Sequence, residues 1–275
     1  MTTFLRLLKE TLSGAVQNGC FSTAKGVAYS LILGFFPSLL LLATALARKP
    51  ATAALMLEVT HALGHVLPPS TVQMALQYFS GGQGHPVRLI LSALLVSLMG
   101  GSGVMTSFMM GFRAVYGLPP SRSYWKDEGL ALALVFLAGA PLLAATALIV
   151  FGKQVQNWLI YRLGFPILLT AAWAAARWVV AVATGTVVLA IIYSVGPRSE
   201  RRFAWVLPGA LLATLAWLAS TAFFGWYVQN VAEYSDIYGS LGTAVVLLIW
   251  MYLLAVIVLL GAQFNAVCER HWRGV

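Results

Sequence analysis

Charge is scarce in this 275-residue sequence, because Asp, Glu, Lys and Arg together make up only 9% of it. Ordinary soluble domains carry about 25% charged residues. Hydrophobic residues make up 60% of the chain, which leaves too little polar surface to coat a water-soluble globule of this size. The composition therefore excludes soluble enzyme folds and predicts a protein of the lipid bilayer. In such a protein the net charge of +9 is an indicator of topology rather than of nucleic-acid binding.

Residues that carry chemistry are also few. Four scattered histidines form no nucleophile-and-base arrangement of the kind a hydrolase needs. The long apolar runs contain no ionisable residue apart from Arg177, whereas proton-coupled transporters and intramembrane enzymes generally keep such groups there. We therefore expect no enzyme activity and no cofactor. Cys20 and Cys268 both fall on the side predicted below to be cytoplasmic, so no disulfide is expected.

Long uncharged runs are what the sequence does have. Six of them, 20 to 32 residues long, are sufficient for helices that cross about 30 Å of hydrocarbon. The sequence thus predicts an all-α polytopic membrane protein, a single domain over 1–275. The expected spans cover about 26–47, 89–112, 129–152, 178–197, 203–228 and 239–267.

The segment from Leu163 to Ala176 is apolar but too short to span a membrane alone. One interpretation is that it extends the fourth span upstream and places Arg177 about three turns inside a long helix. The preferred interpretation is that it lies at the membrane interface, where Arg177 extends its charge to water.

The distribution of Lys and Arg predicts the orientation. With both termini in the cytoplasm, the inside segments carry eleven of these residues and the outside segments carry six, as the positive-inside rule requires. Residues 1–25 contain Phe4, Leu5, Leu8 and Leu12 at helical spacing. They predict an amphipathic helix on the inner leaflet rather than a cleavable signal, because charged residues interrupt the apolar stretch.

The longest connection, 48–86, is expected to form a short helical cap on the outer face. Glu58, His61 and His65 share one side of its first predicted helix. Two histidines four residues apart with a carboxylate could bind zinc. The alternative is that they form the water-exposed side of an amphipathic helix. Elsewhere, Asp127 and Glu128 are interpreted as a solvated charge pair that flanks the third span.

Small residues recur every four positions in the second span, where Gly100 and Gly103 are followed by Ser107 and Gly111. Small residues at this spacing let helices approach closely, so packing is one interpretation and an unwound segment that lines a path is the other. Pro37, Pro141 and Pro208 lie in the first, third and fifth spans, where each removes a helical hydrogen bond and favours a kink. We expect these residues to line a cavity or a gate.

A polar corner precedes the last span. Gly239 and Gly242 permit close backbone approach, and Tyr234 and Tyr238 are placed to anchor the corner among lipid headgroups. The functional interpretation is that the corner closes the outer mouth of a cavity. Asn265, further along the last span, is also expected to line a cavity or gate. The alternative is an ordinary helix start with Ser240 as its N-cap.

The sequence resembles the YihY/BrkB family of bacterial inner-membrane proteins, formerly named ribonuclease BN. The resemblance covers roughly 25–265 and is carried by Ala28-Tyr29-Ser30, Phe36-Pro37, Arg113-Ala114-Val115-Tyr116, Tyr193 to Pro197, Pro208-Gly209, Tyr238-Gly239-Ser240-Leu241-Gly242 and Gly261 to Asn265. Two positions depart from the family pattern: Gly34 replaces a frequent Ser, and Gln263 replaces a frequent Glu.

The resemblance implies six transmembrane helices in the bacterial inner membrane and says little about biochemistry. We expect a transporter-like protein that moves or hands over a lipid-like or amphiphilic substrate, because lipid-like cargo requires no buried ion pair. The alternative is a scaffold or subunit of an envelope complex. Membrane lipids and other envelope proteins are the expected partners, and neither nucleic acid nor ribonuclease activity is expected.

Overall fold

The computed structural model describes residues 2–47, 86–119, 123–163, 166–197, 203–230 and 240–273. These residues form seven α-helices and no strand. The helices are α1 Thr2–Gln17, α2 Cys20–Ala47, α3 Pro86–Val115, α4 Tyr124–Leu163, α5 Pro166–Val195, α6 Phe203–Asn230 and α7 Ser240–Arg273.

The helices confirm the prediction of an all-α polytopic membrane protein. Five of them contain segments long and apolar enough to cross a membrane, and a sixth results if the bent pair Leu5–Gln17 and Cys20–Ser38 counts as one span. The last candidate span, Val245–Trp272, is 56% buried, whereas the other four single spans are 22–28% buried. Helix α7 is thus the span that other helices surround most completely. The predicted outer cap lies outside the described residues.

The helix α1 is shorter than predicted, because it ends at Gln17 and not near residue 25. Gly19 adopts a positive φ of 66°, which only glycine adopts without strain. The chain turns there by 70°, and α2 begins at Cys20. On α1, Thr11 and Ala15 are buried against the protein, while Leu5, Leu12 and Val16 remain exposed. The exposed surface of α1 therefore has an apolar part beside exposed charged residues such as Arg6 and Lys9, as is typical of an interfacial helix.

Most of the segment 163–176 is continuous with the fourth predicted span, which favours the interpretation that it extends this span, and its position at the membrane interface stays a prediction. Leu163 ends α4, and Pro166 begins α5, which continues without a break to Val195. Arg177 thus lies eleven residues, or about three turns, inside this helix. Proline at the start of a helix is favourable because its missing N–H is not needed there.

The helix α3 ends in a Schellman motif. Leu118 N donates to Arg113 O at 2.8 Å, Gly117 N donates to Ala114 O at 3.2 Å, and Gly117 has a positive φ of 64°. These bonds satisfy carbonyls that the end of the helix would otherwise leave unpaired. The short connection to α4 follows.

The chain divides into two compact units, 1–23 with 105–220 and 256–275, and 24–104 with 221–255. In the first unit, a core cluster joins α3 to α4 through Met105, Met109, Leu130, Ala131 and Leu134. In the second unit, a cluster joins α2 to α7 through Ala28, Leu31, Ile32, Phe35, Leu247, Trp250, Met251 and Tyr252. Apolar packing therefore joins two consecutive helices in the first unit and two helices that are distant in sequence in the second.

Candidate functional site

The structure brings two of the predicted site residues, Pro208 and Asn265, close together. Asn265 is 2% exposed. Its Nδ2 donates to Val206 O at 3.0 Å, and its Oδ1 accepts from Gly209 N at 2.7 Å. Proline within a helix removes one hydrogen bond and pushes neighbouring backbone groups apart. The Asn265 side chain on α7 thus satisfies backbone groups on both sides of Pro208 on α6.

Around this contact the helices α5, α6 and α7 approach closely. Tyr193 is fully buried and donates its hydroxyl to Val258 O at 2.7 Å. A Cβ on Gly209 would overlap Gly261 O, and a Cβ on Gly261 would lie 2.5 Å from the Tyr193 hydroxyl. We name Tyr193, Val206, Gly209, Gly261 and Asn265 the Asn265 cluster. It is a tightly packed crossing, so the cavity or gate role predicted for Pro208 and Asn265 stays a prediction.

The small residues of α3 lie at helix contacts. In the second unit, a Cβ on Gly100 would lie 2.6 Å from Gly34 N, and one on Gly103 would lie 3.1 Å from Ser30 Oγ. In the first unit, a Cβ on Gly111 would lie 2.6 Å from Leu259 Cδ2. These contacts support the packing interpretation. Ser107, between them, is partly buried.

The other two prolines lie within helices as predicted, Pro37 in α2 and Pro141 in α4. After Pro37, the Ser38 hydroxyl donates to Gly34 O at 2.6 Å and pairs with the Ser97 hydroxyl of α3 at 2.5 Å. In membrane helices, a hydroxyl near a proline commonly forms hydrogen bonds with backbone groups whose helical bonds the proline disturbs.

Several predicted residues lie outside the described residues: Glu58, His61, His65, Tyr234, Tyr238 and Gly239. Helix α7 begins at Ser240, so Gly242 lies in its first turn. Among the residues that the structure describes, no group of three or more His, Cys, Asp or Glu side chains is placed to hold a metal ion. The zinc and outer-corner predictions therefore remain predictions.

The interpretation of Asp127 as a solvated residue is wrong. Asp127 and Arg113 form a buried bidentate ion pair with both N–O distances at 3.0 Å, and their side chains are 11% and 10% exposed. Asp127 lies in the first turn of α4, where a negative charge also interacts favourably with the helix dipole. The sequence did contain a signal for this pair, because an Arg at the end of one predicted span and an Asp before the next are separated by a short connection in a chain with few charges.

A second buried polar contact joins α1 to α7. Asn18 Nδ2 donates to Gln263 Oε1 at 2.9 Å. Gln263 is 0% exposed, and its Nε2 has no hydrogen-bond partner among the described residues. Nε2 lies against Gly14, where an added Cβ would overlap it. Sequence reasoning noted Gln263 only as a departure from the family pattern.

Two polar clefts adjoin this contact, both in the first unit. The terminal cleft, about 410 Å³, lies between α1 and the end of α7 and is lined by Arg6, Glu10, Ser13, Gly14, Gln17, Val267, Arg270 and His271. The adjoining cleft, about 470 Å³, is lined by Gly14, Gln17, Asn18, Ala114, Val115, Tyr116, Gly117, Ala266, Glu269 and Arg270. Gly14, Gln17 and Arg270 line both clefts.

An apolar groove lies between α5 and α6. It has a volume of about 470 Å³ and is lined by Trp178, Val179, Val182, Ala183, Thr186, Val187 and Leu211. Thr186 is its only polar side chain, and the Thr186 hydroxyl is 3.4 Å from that of Thr214 on α6. No sequence signal identified this groove, because its residues are ordinary for a membrane helix.

The chain matches the family described as "Virulence factor BrkB" over residues 11–274. It is 27% identical over 271 residues to the "Putative ribonuclease-like protein YfkH" of Bacillus subtilis, covering 97% of this chain and 96% of that protein. It is 28% identical over 254 residues to a "UPF0761 membrane protein" of Alteromonas mediterranea, covering 88% of this chain and 81% of that protein. It is 24% identical over 249 residues to one of Alkalilimnicola ehrlichii, covering 90% of this chain but only 55% of that relative. No solved structure matches the chain significantly.

Proposed function

Because the chain belongs to the virulence factor BrkB family of membrane proteins, we propose that it moves or hands over a lipid-like, amphiphilic substrate in the bacterial inner membrane. The observation that carries the proposal is the apolar groove between α5 and α6. The proposal includes both termini in the cytoplasm, which the distribution of Lys and Arg supports.

The groove has the shape and chemistry of an acyl-chain site. Its residues on α5 form two rows along the helix, and successive members of each row are four residues apart. Because the rows run from Trp178 to Val187, the groove extends about 14 Å along the helix. A linear apolar chain fits such a site better than a compact polar solute, which would need more polar partners than Thr186 alone. The nearly charge-free interior of the spans agrees with cargo of this kind.

The experiment fills the groove. Ala183→Phe places a ring where the chain would lie, and Ala175→Phe is the matched control, because Ala175 is exposed on the same helix but lines no described groove. Native mass spectrometry of each purified variant measures the number of phospholipids retained. Proteoliposomes with a fluorescent phospholipid in both leaflets measure movement through dithionite quenching.

We expect the wild-type protein and Ala175→Phe to retain one more phospholipid than Ala183→Phe and to move the fluorescent lipid at equal rates. We expect Ala183→Phe to slow this movement at least about tenfold, a barrier increase of about 1.4 kcal/mol. Equal lipid retention and equal rates in all three proteins would contradict the proposal.

The second candidate function is a scaffold that binds another membrane helix. Exposed Trp178 and Val179 lie beside the small Ala183 on this surface. This alternation of large and small side chains resembles a surface for helix packing and favours the scaffold function. A scaffold would move no lipid in proteoliposomes. It would instead co-purify with one envelope protein in a fixed ratio that Ala183→Phe abolishes.

A further inference from the structure

We propose that the terminal cleft between α1 and the end of α7 binds a phosphate group, either that of a lipid headgroup or that of a soluble phosphate. The proposal is independent of the apolar groove, because the two sites share no residue. The terminal cleft measures about 410 Å³, which is more than ten times the roughly 30 Å³ that one water occupies in the liquid. It therefore has room for a headgroup.

The charges that line the cleft favour an anion. Arg6 Nε donates to Glu10 Oε1 at 2.9 Å, so that carboxylate is already engaged. Arg270 Nε donates to Ala266 O at 3.3 Å, and Arg270 has no carboxylate partner among the described residues. Arg270 is thus the unmatched positive charge of the cleft. The planar fork of a guanidinium matches the oxygens of a phosphate.

The neutral groups around the cleft are also rich in donors. Ser13 and Gln17 line it beside the two arginines. Gln263 Nε2, a fully buried donor without a partner in the described chain, lies directly behind the cleft wall, because position 14 is a glycine. A buried donor without an acceptor is unfavourable. Within the cleft itself, a phosphate can accept from Ser13, Gln17 and Arg270, whereas Arg270 repels a cation.

The surroundings of the cleft place it at the level of lipid headgroups. Leu5 and Leu12 form an apolar part of the exposed surface of α1, and Trp125 and Trp272, near the start of α4 and the end of α7, are 82% and 62% exposed. Exposed tryptophans at helix ends mark the membrane interface, and an amphipathic helix lies in that plane. Because the C-terminal ends of α1 and α7 disfavour an anion, binding of phosphate depends on the arginines.

The test uses the purified full-length protein in a non-ionic detergent with three probes: dioleoyl phosphatidylglycerol, dioleoylglycerol and inorganic phosphate. The melting temperature is recorded against probe concentration, because a ligand of the folded state raises it. Arg270→Gln removes the unmatched charge. Lys9→Gln is the matched control, because it removes the same charge from α1 at an exposed position that does not line the cleft.

In the background of Ala183→Phe, which fills the apolar groove, we expect phosphatidylglycerol to raise the melting temperature and dioleoylglycerol, which has the same chains without phosphate, to leave it unchanged. Arg270→Gln should raise the Kd for phosphatidylglycerol about tenfold, as the loss of a charged hydrogen bond implies, and Lys9→Gln should change it less than about twofold. If inorganic phosphate alone gives the full response and the lipid adds nothing, the ligand is a soluble phosphate, and the cleft is still a phosphate-binding site.

An equal response to dioleoylglycerol, or an equal loss of affinity in Arg270→Gln and Lys9→Gln, would overturn the proposal. If Arg270→Gln does not fold, Arg6→Gln carries the same expectation, because Arg6 is largely exposed. Because Ala183→Phe fills the groove in all proteins of this test and lies outside the cleft, failure of the groove and failure of the cleft are separate results.

Discussion

Asn265 hydrogen-bonds the backbone of α6 on both sides of its proline. Its amide accepts from Gly209 N and donates to Val206 O, on both sides of Pro208. One side chain therefore pairs two buried backbone groups that no water reaches. The same residue holds α7 close to α6, where the two glycines of the Asn265 cluster leave room for the backbones to meet.

We predict that Asn265→Ala destabilises the protein by about 1–2 kcal/mol, because it leaves two backbone groups without partners. Unfolding in detergent, followed by circular dichroism against denaturant, measures the change. Ser194→Ala is the control, because the Ser194 hydroxyl only supplements a carbonyl of its own helix and its loss should cost much less. Equal stability of Asn265→Ala and the wild type would show that the pairing contributes nothing.

We predict a larger effect at the buried ion pair. Asp127→Ala should cost about 3–5 kcal/mol, because it leaves the Arg113 guanidinium buried without a counter-charge. The double variant Arg113→Met with Asp127→Leu should recover most of this loss, since two apolar side chains need no pairing. Glu10→Ala, which breaks an exposed pair within α1, should cost less than about 0.5 kcal/mol. A double variant no more stable than Asp127→Ala would count against this account.

The sequence alone could not predict these polar contacts between helices. Asn18 and Gln263 are 245 residues apart, and nothing in their local sequence indicates that they meet. Pro208 and Asn265 could be singled out individually, because each is unusual in an apolar helix. Their pairing depends on how α6 and α7 cross, which only the tertiary structure fixes.

At the scale of the elements, apolar runs predicted that the described residues form long apolar helices, but not where these helices end. Lys25, Arg88 and Arg177 each mark a predicted boundary, yet each lies inside a helix, in α2, α3 and α5. Hydrophobicity fixes the part of a helix that crosses the membrane. The ends are fixed by backbone chemistry, such as the positive φ of Gly19 and Gly117. Charge alone does not end a helix.

We predict that α1 lies in the membrane interface with its leucines toward lipid. A spin label on Leu12→Cys should collide more with oxygen, which is soluble in lipid, and a label on Lys9→Cys should collide more with an aqueous nickel chelate. The native Cys20 and Cys268 are buried and should take up little label. Greater access of the nickel chelate at both positions would mean that α1 lies in water.

At the scale of the whole molecule, the distribution of Lys and Arg predicts the topology. Reporter fusions after Tyr124 and after Glu200 should give a cytoplasmic signal, and a fusion after Glu233 should give an external one. Activity of paired phosphatase and fluorescent-protein reporters, normalised to expression, measures the side. A cytoplasmic signal at Glu233 would contradict six spans with both termini inside.

The contacts of α7 have a consequence for how the protein is made. This helix supplies Gln263 to α1, Leu259 to α3, Val258 to α5 and Asn265 to α6. Ribosomes synthesise it after all the other described helices, so those helices enter the bilayer with their future contacts uncovered. During that interval, the disturbed turn at Pro208 has no partner from α7. The newly made chain therefore stays incompletely packed in the bilayer until its last span arrives.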